Sequence, residues 1–340
     1  MTYSQQEQQL IIPRWIIPIE PAGLVLTDHA LVSTAERITA LLPAAEARTR
    51  YPHARVIELP DHVLLPGLVN LHCHTSMALM RGIADDTPLM TWLNEHIWPA
   101  EARHVDADYV RDGALLGMAE MLTAGITTVN DMYFYPAAVG RAALSIGMRA
   151  ALGVMVIEFP TRYAANADEY FAKGLAMKSE FAGEPLISLT LAPHAPYTIS
   201  DATFKRMVTL AEEMDVPIHT HVHETQAEIE GGLKEHRVRP LERLANLGVV
   251  GPRLISVHSV HLNTAEIEYC ARHGVHIAHC PSSNLKLASG IAPIAQMLAA
   301  GLNVGIGTDG AASNNRLDML SETRLAAFVA KGSSGDPTVM

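Results

Sequence analysis

Residues 66–74 read Pro66-Gly67-Leu68-Val69-Asn70-Leu71-His72-Cys73-His74, a short apolar run that ends in two histidines one residue apart. Alternate residues of a β-strand point to the same face, so His72 and His74 are predicted to lie side by side at the end of a strand. Imidazole is the commonest metal ligand in proteins. The stretch therefore indicates either a chelating pair or a polar end to an ordinary strand, and the choice depends on what stands at the ends of the other strands.

Seven more apolar segments follow, rich in Val, Ile, Leu and Thr and bounded by Gly or Pro, as expected for buried strands. The eight predicted strands span residues 67–71, 126–130, 149–156, 187–192, 216–221, 253–258, 275–279 and 303–308. Amphipathic segments separate them, for example residues 108–123, residues 201–214 after a cap at Ser200, and residues 264–272 after a cap at Asn263. Eight strand–helix units in about 270 residues predict the α/β fold of a (β/α)8 TIM barrel. A doubly wound open sheet has the same local alternation and is the alternative.

The first 65 residues have a different pattern. Short apolar segments at residues 11–19, 23–32 and 55–59 are broken by Pro and Gly. A few short strands do not bury both of their faces by themselves. We therefore expect residues 1–65 to form part of a small β-sandwich-like domain that flanks a barrel domain over residues 66–340.

Composition limits the partners that this chain is expected to have. Its 340 residues are 49% hydrophobic and 18% charged, with a net charge of −11, so neither a nucleic acid nor an anionic membrane surface is an expected partner. The apolar runs are shorter than the ~18 residues that a membrane span needs. Three cysteines are too few for a disulfide framework, and the first ten residues do not resemble a signal peptide. These features predict a cytoplasmic protein.

Polar residues of the same kind stand at the ends of the later predicted strands. They are His194, then His219, His221, His223 and Glu224, then His258 and His261, then His279, and finally Asp309. The carboxyl ends of barrel strands form the active-site face, so these side chains are predicted to converge. Three or four protein ligands with one open position are typical of catalytic zinc. Spacing alone allows His219 or His223 to take the place of His221 as a ligand.

Three stretches of the sequence resemble one family. Residues 66–74, His279-Cys280-Pro281-Ser282-Ser283-Asn284 and the segment 307–315 are similar to the amidohydrolase superfamily, most closely to its 5′-methylthioadenosine/S-adenosylhomocysteine deaminases. The resemblance covers the N-terminal β-region and the whole barrel. Members of the family continue with further strands that complete the small β-domain, so we expect that domain to be incomplete in this chain.

The resemblance implies a set of metal ligands. His72, His74, His221 and Asp309 match residues that hold one divalent metal ion, for which zinc is the first expectation and iron or manganese are alternatives. Binuclear relatives carry a carboxylated lysine at the end of the fourth strand. This sequence has no lysine there, so a mononuclear site is implied.

The resemblance also implies a reaction, the hydrolytic deamination of an adenosine derivative by a metal-activated hydroxide that attacks purine C6. Glu224 matches the proton shuttle, which protonates N1. His258 is expected to orient the hydroxide without being a main ligand, and Asp309 is expected to act as the base as well as a ligand. Purine deaminases of other folds divide the work in a similar way, between a metal and a glutamate that is not a ligand.

Substrate contacts follow from the same resemblance. Glu101 matches a residue that binds the ribose hydroxyls, Trp92 an aromatic residue of the pocket wall, and His194 a residue that contacts the purine. Ser313 is expected to complete the purine contacts. The expected partner is therefore a purine nucleoside, and the family resemblance suggests a homo-oligomer.

The far end of the substrate is less well defined by the sequence. Relatives that accept S-adenosylhomocysteine carry arginines for its carboxylate; Val154 stands at one of these positions, and Arg162 matches a second. This pattern ranks 5′-methylthioadenosine first, followed by S-adenosylhomocysteine or adenosine. Two alternatives stay open, namely another aminohydrolase such as a triazine hydrolase or a different purine deaminase, and a non-catalytic barrel scaffold.

Overall fold

The computed structural model describes residues 8–34 and 37–340, which divide into two compact units with their boundary between Gly67 and Leu68. The sequence had placed this boundary two residues earlier, after residue 65. Among the described residues, no helix is long and apolar enough to cross a membrane.

In its described residues, the N-terminal unit contains one five-stranded sheet and one helix. The strands are β1 (Gln8–Ile16), β2 (Leu26–Thr27), β3 (His29–Thr34), β4 (Arg37–Pro43) and β5 (Arg55–Leu64), and α1 spans Ala44–Arg50. Strand β1 pairs antiparallel with β2 and β3 and parallel with β5. The segment predicted as one strand over 23–32 is two strands, because Asp28 adopts a left-handed conformation (φ 55°) that interrupts the pairing. Strand β4 has no counterpart among the predicted strands.

The larger unit is a barrel of eight parallel strands. They are β6 (Leu68–Cys73), β7 (Ile126–Asp131), β8 (Arg149–Val156), β9 (Ile187–Pro193), β10 (Ile218–Val222), β11 (Leu254–His258), β12 (His276–His279) and β13 (Asn303–Ile306). Neighbours in the sheet follow the order of the chain from β6 to β13 without reversal. A doubly wound sheet reverses its strand order at a switch point, so the predicted (β/α)8 fold is confirmed and the alternative is wrong.

Helices separate the barrel strands. They are α2 (Leu89–Thr91), α3 (Trp98–His104), α4 (Ala107–Thr123), α5 (Pro136–Ile146), α6 (Ala167–Glu180), α7 (Asp201–Met214), α8 (Gln226–His236), α9 (Pro240–Asn246), α10 (Thr264–Arg272), α11 (Pro281–Lys286), α12 (Ile294–Ala299), α13 (Ala311–Asn314) and α14 (Met319–Ser334). A 3₁₀ segment (Thr75–Met80) follows β6, and a π-helical segment (Trp92–Ile97) precedes α3. The predicted caps Ser200 and Asn263 accept backbone N–H bonds at the starts of α7 and α10.

The barrel closes between β6 and the residues that follow β13. The Asp309 amide donates to the His72 carbonyl (3.0 Å), and the Thr308 amide donates to the Asn70 side-chain oxygen (2.9 Å). Asn70 in turn donates to the Thr308 hydroxyl (2.7 Å). Gly307 permits this close approach, since a Cβ there would lie 2.8 Å from the His72 backbone nitrogen. The closure therefore fixes the first and last strand ends against each other.

We expect Gly307→Ala to destabilise the barrel by about 1–3 kcal/mol, because the added methyl group overpacks against backbone that cannot move aside. Urea unfolding of the variant measures this. Gly231→Ala in α8 is the matched control: a Cβ at Gly231 meets nothing within 4 Å, so helix propensity predicts a gain of up to ~1 kcal/mol. Equal stability of the Gly307 variant and the native protein would contradict the close approach.

Candidate active site

Four imidazoles and one carboxylate converge at the carboxyl ends of the barrel strands. The Nε2 atom of His72 lies 3.2 Å from that of His221 and 3.2 Å from Asp309 Oδ1, and His74 Nε2 lies 3.3 Å from the same oxygen. Within two overlapping groups, His72 with His221 and His258, and His72 with His74 and Asp309, the candidate ligand atoms lie within 4.8 Å of one another. The residues come from β6 and the position directly after it, from β10 and β11, and from the turn after β13.

Hydrogen bonds on the opposite ring nitrogens orient these histidines. Nδ1 of His221 bonds the His194 carbonyl (2.7 Å), and Nδ1 of His74 bonds the Met132 carbonyl. A carbonyl can only accept, so both rings carry a proton on Nδ1, and in the neutral ring Nε2 is the atom that offers a lone pair. Nδ1 of His72 lies 3.0 Å from His219 Nε2. Partners of this kind fix the tautomer and the direction of metal-ligating histidines.

The electrostatics of the cluster fit a bound cation. Burial lowers the pKa of His72 to about 4 and holds that of His221 well below its ordinary value, so both rings are neutral at pH 7. A cation between the two Nε2 atoms, which lie 3.2 Å apart, would accept a lone pair from each neutral ring. Neutral imidazoles and a carboxylate are donors that suit zinc, iron and manganese. The residues therefore fit a single divalent metal ion.

Asp309 is held as a carboxylate that presents one oxygen to the cluster. Burial would raise its pKa, but the bond to His72 and the neighbouring imidazoles outweigh burial and bring the pKa well below its ordinary value. Its Oδ2 accepts bonds from Ser283 (2.6 Å) and Ser313 (2.9 Å), while Oδ1 faces the imidazoles. Asp309 also has a left-handed backbone (φ 59°), a conformation that concentrates at functional sites.

Glu224 lies beside the cluster with its carboxyl group largely free. Its Oε2 lies 3.8 Å from His258 Nε2, and its Oε1 lies 3.5 Å from the Ser289 hydroxyl. Burial raises its pKa above the ordinary value, so its acid form persists to a higher pH than usual. A raised pKa suits a group that gives up and takes back a proton near neutral pH. His258 is itself oriented by Asn284, whose side-chain oxygen lies 2.8 Å from Nδ1.

Two histidines that the spacing had left open as ligands lie outside the cluster. His219 sits behind His72, and the Nε2 of His223 accepts a bond from the Leu241 amide (3.0 Å). Strand β10 ends at Val222, and His223 has a left-handed backbone (φ 53°) that breaks the strand alternation. His221 is therefore the β10 residue that faces the candidate metal position.

A pocket opens above this cluster and receives most of the substrate contacts expected from the sequence. Its lining includes His74, His221, Glu224, His258 and Asp309 at one end, together with Trp92, Glu101, His194 and Ser313. Arg162 does not line it. That side chain lies in a neighbouring cavity which shares Trp98, Glu101 and Phe134 with the pocket, and its guanidinium donates to the Arg103 carbonyl (2.8 Å).

Val154 faces away from the pocket. It packs against α6, where a Cβ on Gly174 would meet its Cγ1 at 2.2 Å. From the same strand and the residue after it, Met155 and Ile157 line the pocket instead. Met155 and Ile157 rather than Val154 therefore face the pocket, because neighbouring residues of a strand point to opposite faces. Within residues 8–34 and 37–340, no lysine or arginine lines the pocket.

Glu101 occupies the pocket with one hydrogen-bond partner. Tyr133 donates to its Oε1 (2.8 Å), and burial raises its pKa from 4.5 to about 7. Its second oxygen is available for a ligand hydroxyl. His194 bonds the Thr198 hydroxyl through Nδ1 (3.1 Å), and burial lowers its pKa to about 3, so it meets a ligand as a neutral ring.

Burial of the Glu101 carboxyl is expected to make the free energy of unfolding depend on pH. Between pH 4.5 and about 7 the unfolded chain has released this proton while the folded chain retains it, so stability falls as the pH rises through that window. We expect Glu101→Gln to gain stability relative to the native protein at pH 8 and to lose that advantage at pH 5. Melting temperatures of both proteins at the two pH values measure this. Glu95→Gln, an exposed residue of the neighbouring π-helical segment, is the control, and an equal shift at both pH values would contradict the prediction.

Sequence reasoning missed the residues that orient the site. Ser283 and Asn284 lie in the stretch 279–284 that carried the family resemblance, yet their bonds to Asp309 and His258 join positions 26 residues apart in each case. His219 and Tyr133 bond residues still farther away in the chain. The sequence shows that these residues are polar, but it does not show which residues they bond. Ser313, expected at the purine, lines the pocket and donates to Asp309 (2.9 Å).

A parallel barrel whose strand ends gather imidazoles and a carboxylate around one point defines the class of metal-dependent barrel hydrolases. The chain belongs to the amidohydrolase family, whose model matches residues 63–340. The resemblance read from the sequence is thereby confirmed.

Similar proteins include enzymes with named activities. A 5-methylthioadenosine/S-adenosylhomocysteine deaminase of Saccharophagus degradans is 42% identical over 98% of this chain and 74% of its own length. The crystal structure of an adenosine deaminase from Xanthomonas campestris with bound zinc has a TM-score of 0.96 and 47% identity, over 98% of this chain and 76% of that one. Atrazine chlorohydrolase from Arthrobacter aurescens, complexed with zinc, has a TM-score of 0.88 at 26% identity, over 96% of this chain and 78% of that one.

Proposed function

We propose that this protein hydrolyses the 6-amino group of adenosine derivatives, releasing ammonia and the corresponding inosine derivative, with 5′-methylthioadenosine as the preferred substrate. The observation that carries the proposal is the placement of Glu224, a buried carboxyl of raised pKa, beside the imidazole and carboxylate cluster in one pocket. The names of the Saccharophagus and Xanthomonas relatives support the same reaction.

We propose one zinc ion as the cofactor, as in the Xanthomonas and Arthrobacter structures. His72, His74, His221 and Asp309 would hold it, and His258 adds a fourth imidazole at the same point. A zinc ion bound there acts as a Lewis acid and lowers the pKa of a water molecule to about 7.

The side chains divide the proton transfers between them. Water adds its oxygen to C6 of the purine, and Glu224 donates a proton to N1, which otherwise accumulates negative charge. One proton of the water passes through the Asp309 carboxylate to the departing amine, which leaves as ammonia when the C6–N bond breaks. The other proton restores Glu224, and N1 keeps its proton in the inosine product. His258, held by Asn284, orients the attacking water.

Glu101 and the apolar wall place the nucleoside. The free Glu101 oxygen is proposed to accept bonds from the ribose hydroxyls, while Trp92 and His194 enclose the purine. Ser313 is proposed to act by holding Asp309 rather than by touching the base. Arg162, in the neighbouring cavity, is proposed to meet only the carboxylate of longer substrates.

We expect the highest kcat/KM for 5′-methylthioadenosine and lower values for S-adenosylhomocysteine and adenosine. Met155 and Ile157 offer an apolar surface to a thioether, whereas the charged tail of S-adenosylhomocysteine would have to extend past them to reach Arg162 in the neighbouring cavity. Ultraviolet absorbance during deamination of the three nucleosides measures the ranking. A large preference for S-adenosylhomocysteine would reverse it, and inactivity toward all three would overturn the proposed function.

Cell location and assembly remain proposals. The three cysteines, Cys73, Cys270 and Cys280, are buried and free, and free thiols are typical of a reducing compartment, which supports a cytoplasmic enzyme. A homo-oligomer is proposed from the family resemblance, and light scattering of the purified chain tests it.

A further inference from the structure

The turn that contains Glu224 is connected to α8 by hydrogen bonds that differ from those of an ordinary helix cap. Thr225 caps this helix, and its hydroxyl accepts the Glu228 amide (3.2 Å). In an ordinary capping box the glutamate three residues after the cap reaches back to the backbone amide of the cap residue itself. The carboxylate of Glu228 instead reaches past Thr225 and accepts bonds from the amides of His223 and Glu224, both at 2.9 Å.

The same chain contains an ordinary capping box for comparison. At the start of α10, the Asn263 amide donates to Glu266 (2.9 Å), and the Glu266 amide donates to Asn263 (3.0 Å). Glu266 is also paired with Arg239. Glu228 has no cation within salt-bridge distance among the described residues, and it is 7% exposed. A buried carboxylate without a cation is costly, so helix capping by itself does not account for its position.

We propose that Glu228 is a positioning residue for the reaction, which holds the Glu224 carboxyl at the candidate metal centre by anchoring two consecutive amides. His223 has a left-handed backbone (φ 53°), so the chain turns sharply just before Glu224. The two bonds span this turn and fix the backbone from which the Glu224 side chain reaches toward His258. The inference rests on the proposed deaminase function, because positioning matters only if Glu224 transfers a proton.

Glu228→Gln tests the assignment, because the amide is isosteric but has one acceptor oxygen for two amide donors. We expect kcat for 5′-methylthioadenosine to fall about 10²-fold, the size of effect that a 1 Å misplacement can produce, with KM and bound zinc unchanged. Thr225→Ala is the matched control: it removes the cap of the same helix and is expected to lower the melting temperature without lowering kcat. A similar loss of kcat in both variants would assign the effect to the helix and overturn the proposal.

A double-mutant cycle separates positioning from general damage. If Glu228 acts through Glu224, then Glu228→Gln has no further effect on kcat in a Glu224→Gln background. Additive losses would overturn the proposal. Glu228→Asp, which keeps the charge on a shorter side chain, is expected to retain part of kcat and serves if the glutamine variant does not fold.

Hydrogen exchange provides a readout that is independent of activity. We expect the amides of residues 223 and 224 to exchange faster in Glu228→Gln, while the α10 amides keep the native rate. Unchanged exchange at these two amides would overturn the anchoring. A native protein that deaminates none of the nucleosides but shows the faster exchange in the variant would refute the proposed function and leave the anchoring intact.

Discussion

Glu224→Gln is expected to lower kcat/KM for 5′-methylthioadenosine by about 10²–10⁴-fold, the contribution of one general acid–base group. Glutamine fills the same space but cannot donate and recover the proton that N1 requires. Because Glu224 is not one of the four proposed ligands, bound zinc is expected to stay at one equivalent. Steady-state kinetics and metal analysis of the purified variant measure both quantities.

The control for this variant is a glutamate further along the chain. Glu230 is exposed on α8, so Glu230→Gln removes the same charge without touching the pocket and is expected to keep native activity. Native activity in the Glu224 variant would show that another group protonates the purine. Loss of zinc together with activity would show that Glu224 is a ligand.

Removal of the metal is expected to abolish deamination and to lower the melting temperature. Without a cation, the Nε2 atoms of His72 and His221, 3.2 Å apart, lose the charge that both lone pairs would bind. A ligand present at 100 times its dissociation constant stabilises the folded state by about 2.7 kcal/mol, so chelated protein is expected to melt several degrees lower. Dialysis against a chelator, followed by stepwise return of zinc, tests both effects.

A pair of variants connects this effect to particular residues. His221→Ala is expected to lose zinc and activity together, since it removes one of the proposed ligands. His104 is exposed at the end of α3, and His104→Ala is expected to keep both. Full activity of zinc-free protein, or normal zinc content in His221→Ala, would contradict the proposed metal centre.

Most of the candidate site residues could be predicted from the polar residues at the ends of the predicted strands. Two histidines in alternation after an apolar run, followed by polar residues at the ends of later strands, are local patterns that survive folding because strand direction and alternation are set by neighbouring residues. The structure brings His72, His74, His221 and Asp309 together at these strand ends, although the alternation by itself leaves His219 and His223 open in place of His221. The barrel itself was predicted in the same way.

The sequence by itself determined the strand–helix order, the chemistry gathered at the strand ends and the family. Only the tertiary structure decided that Ser313 holds Asp309, that Met155 rather than Val154 faces the pocket, that Arg162 lies in a separate cavity, and that Glu228 anchors the Glu224 turn. The physical reason is the same in each case. These roles depend on contacts between residues that are distant in the chain, or on which face of a strand a side chain occupies. A local sequence pattern does not contain the positions of such distant partners.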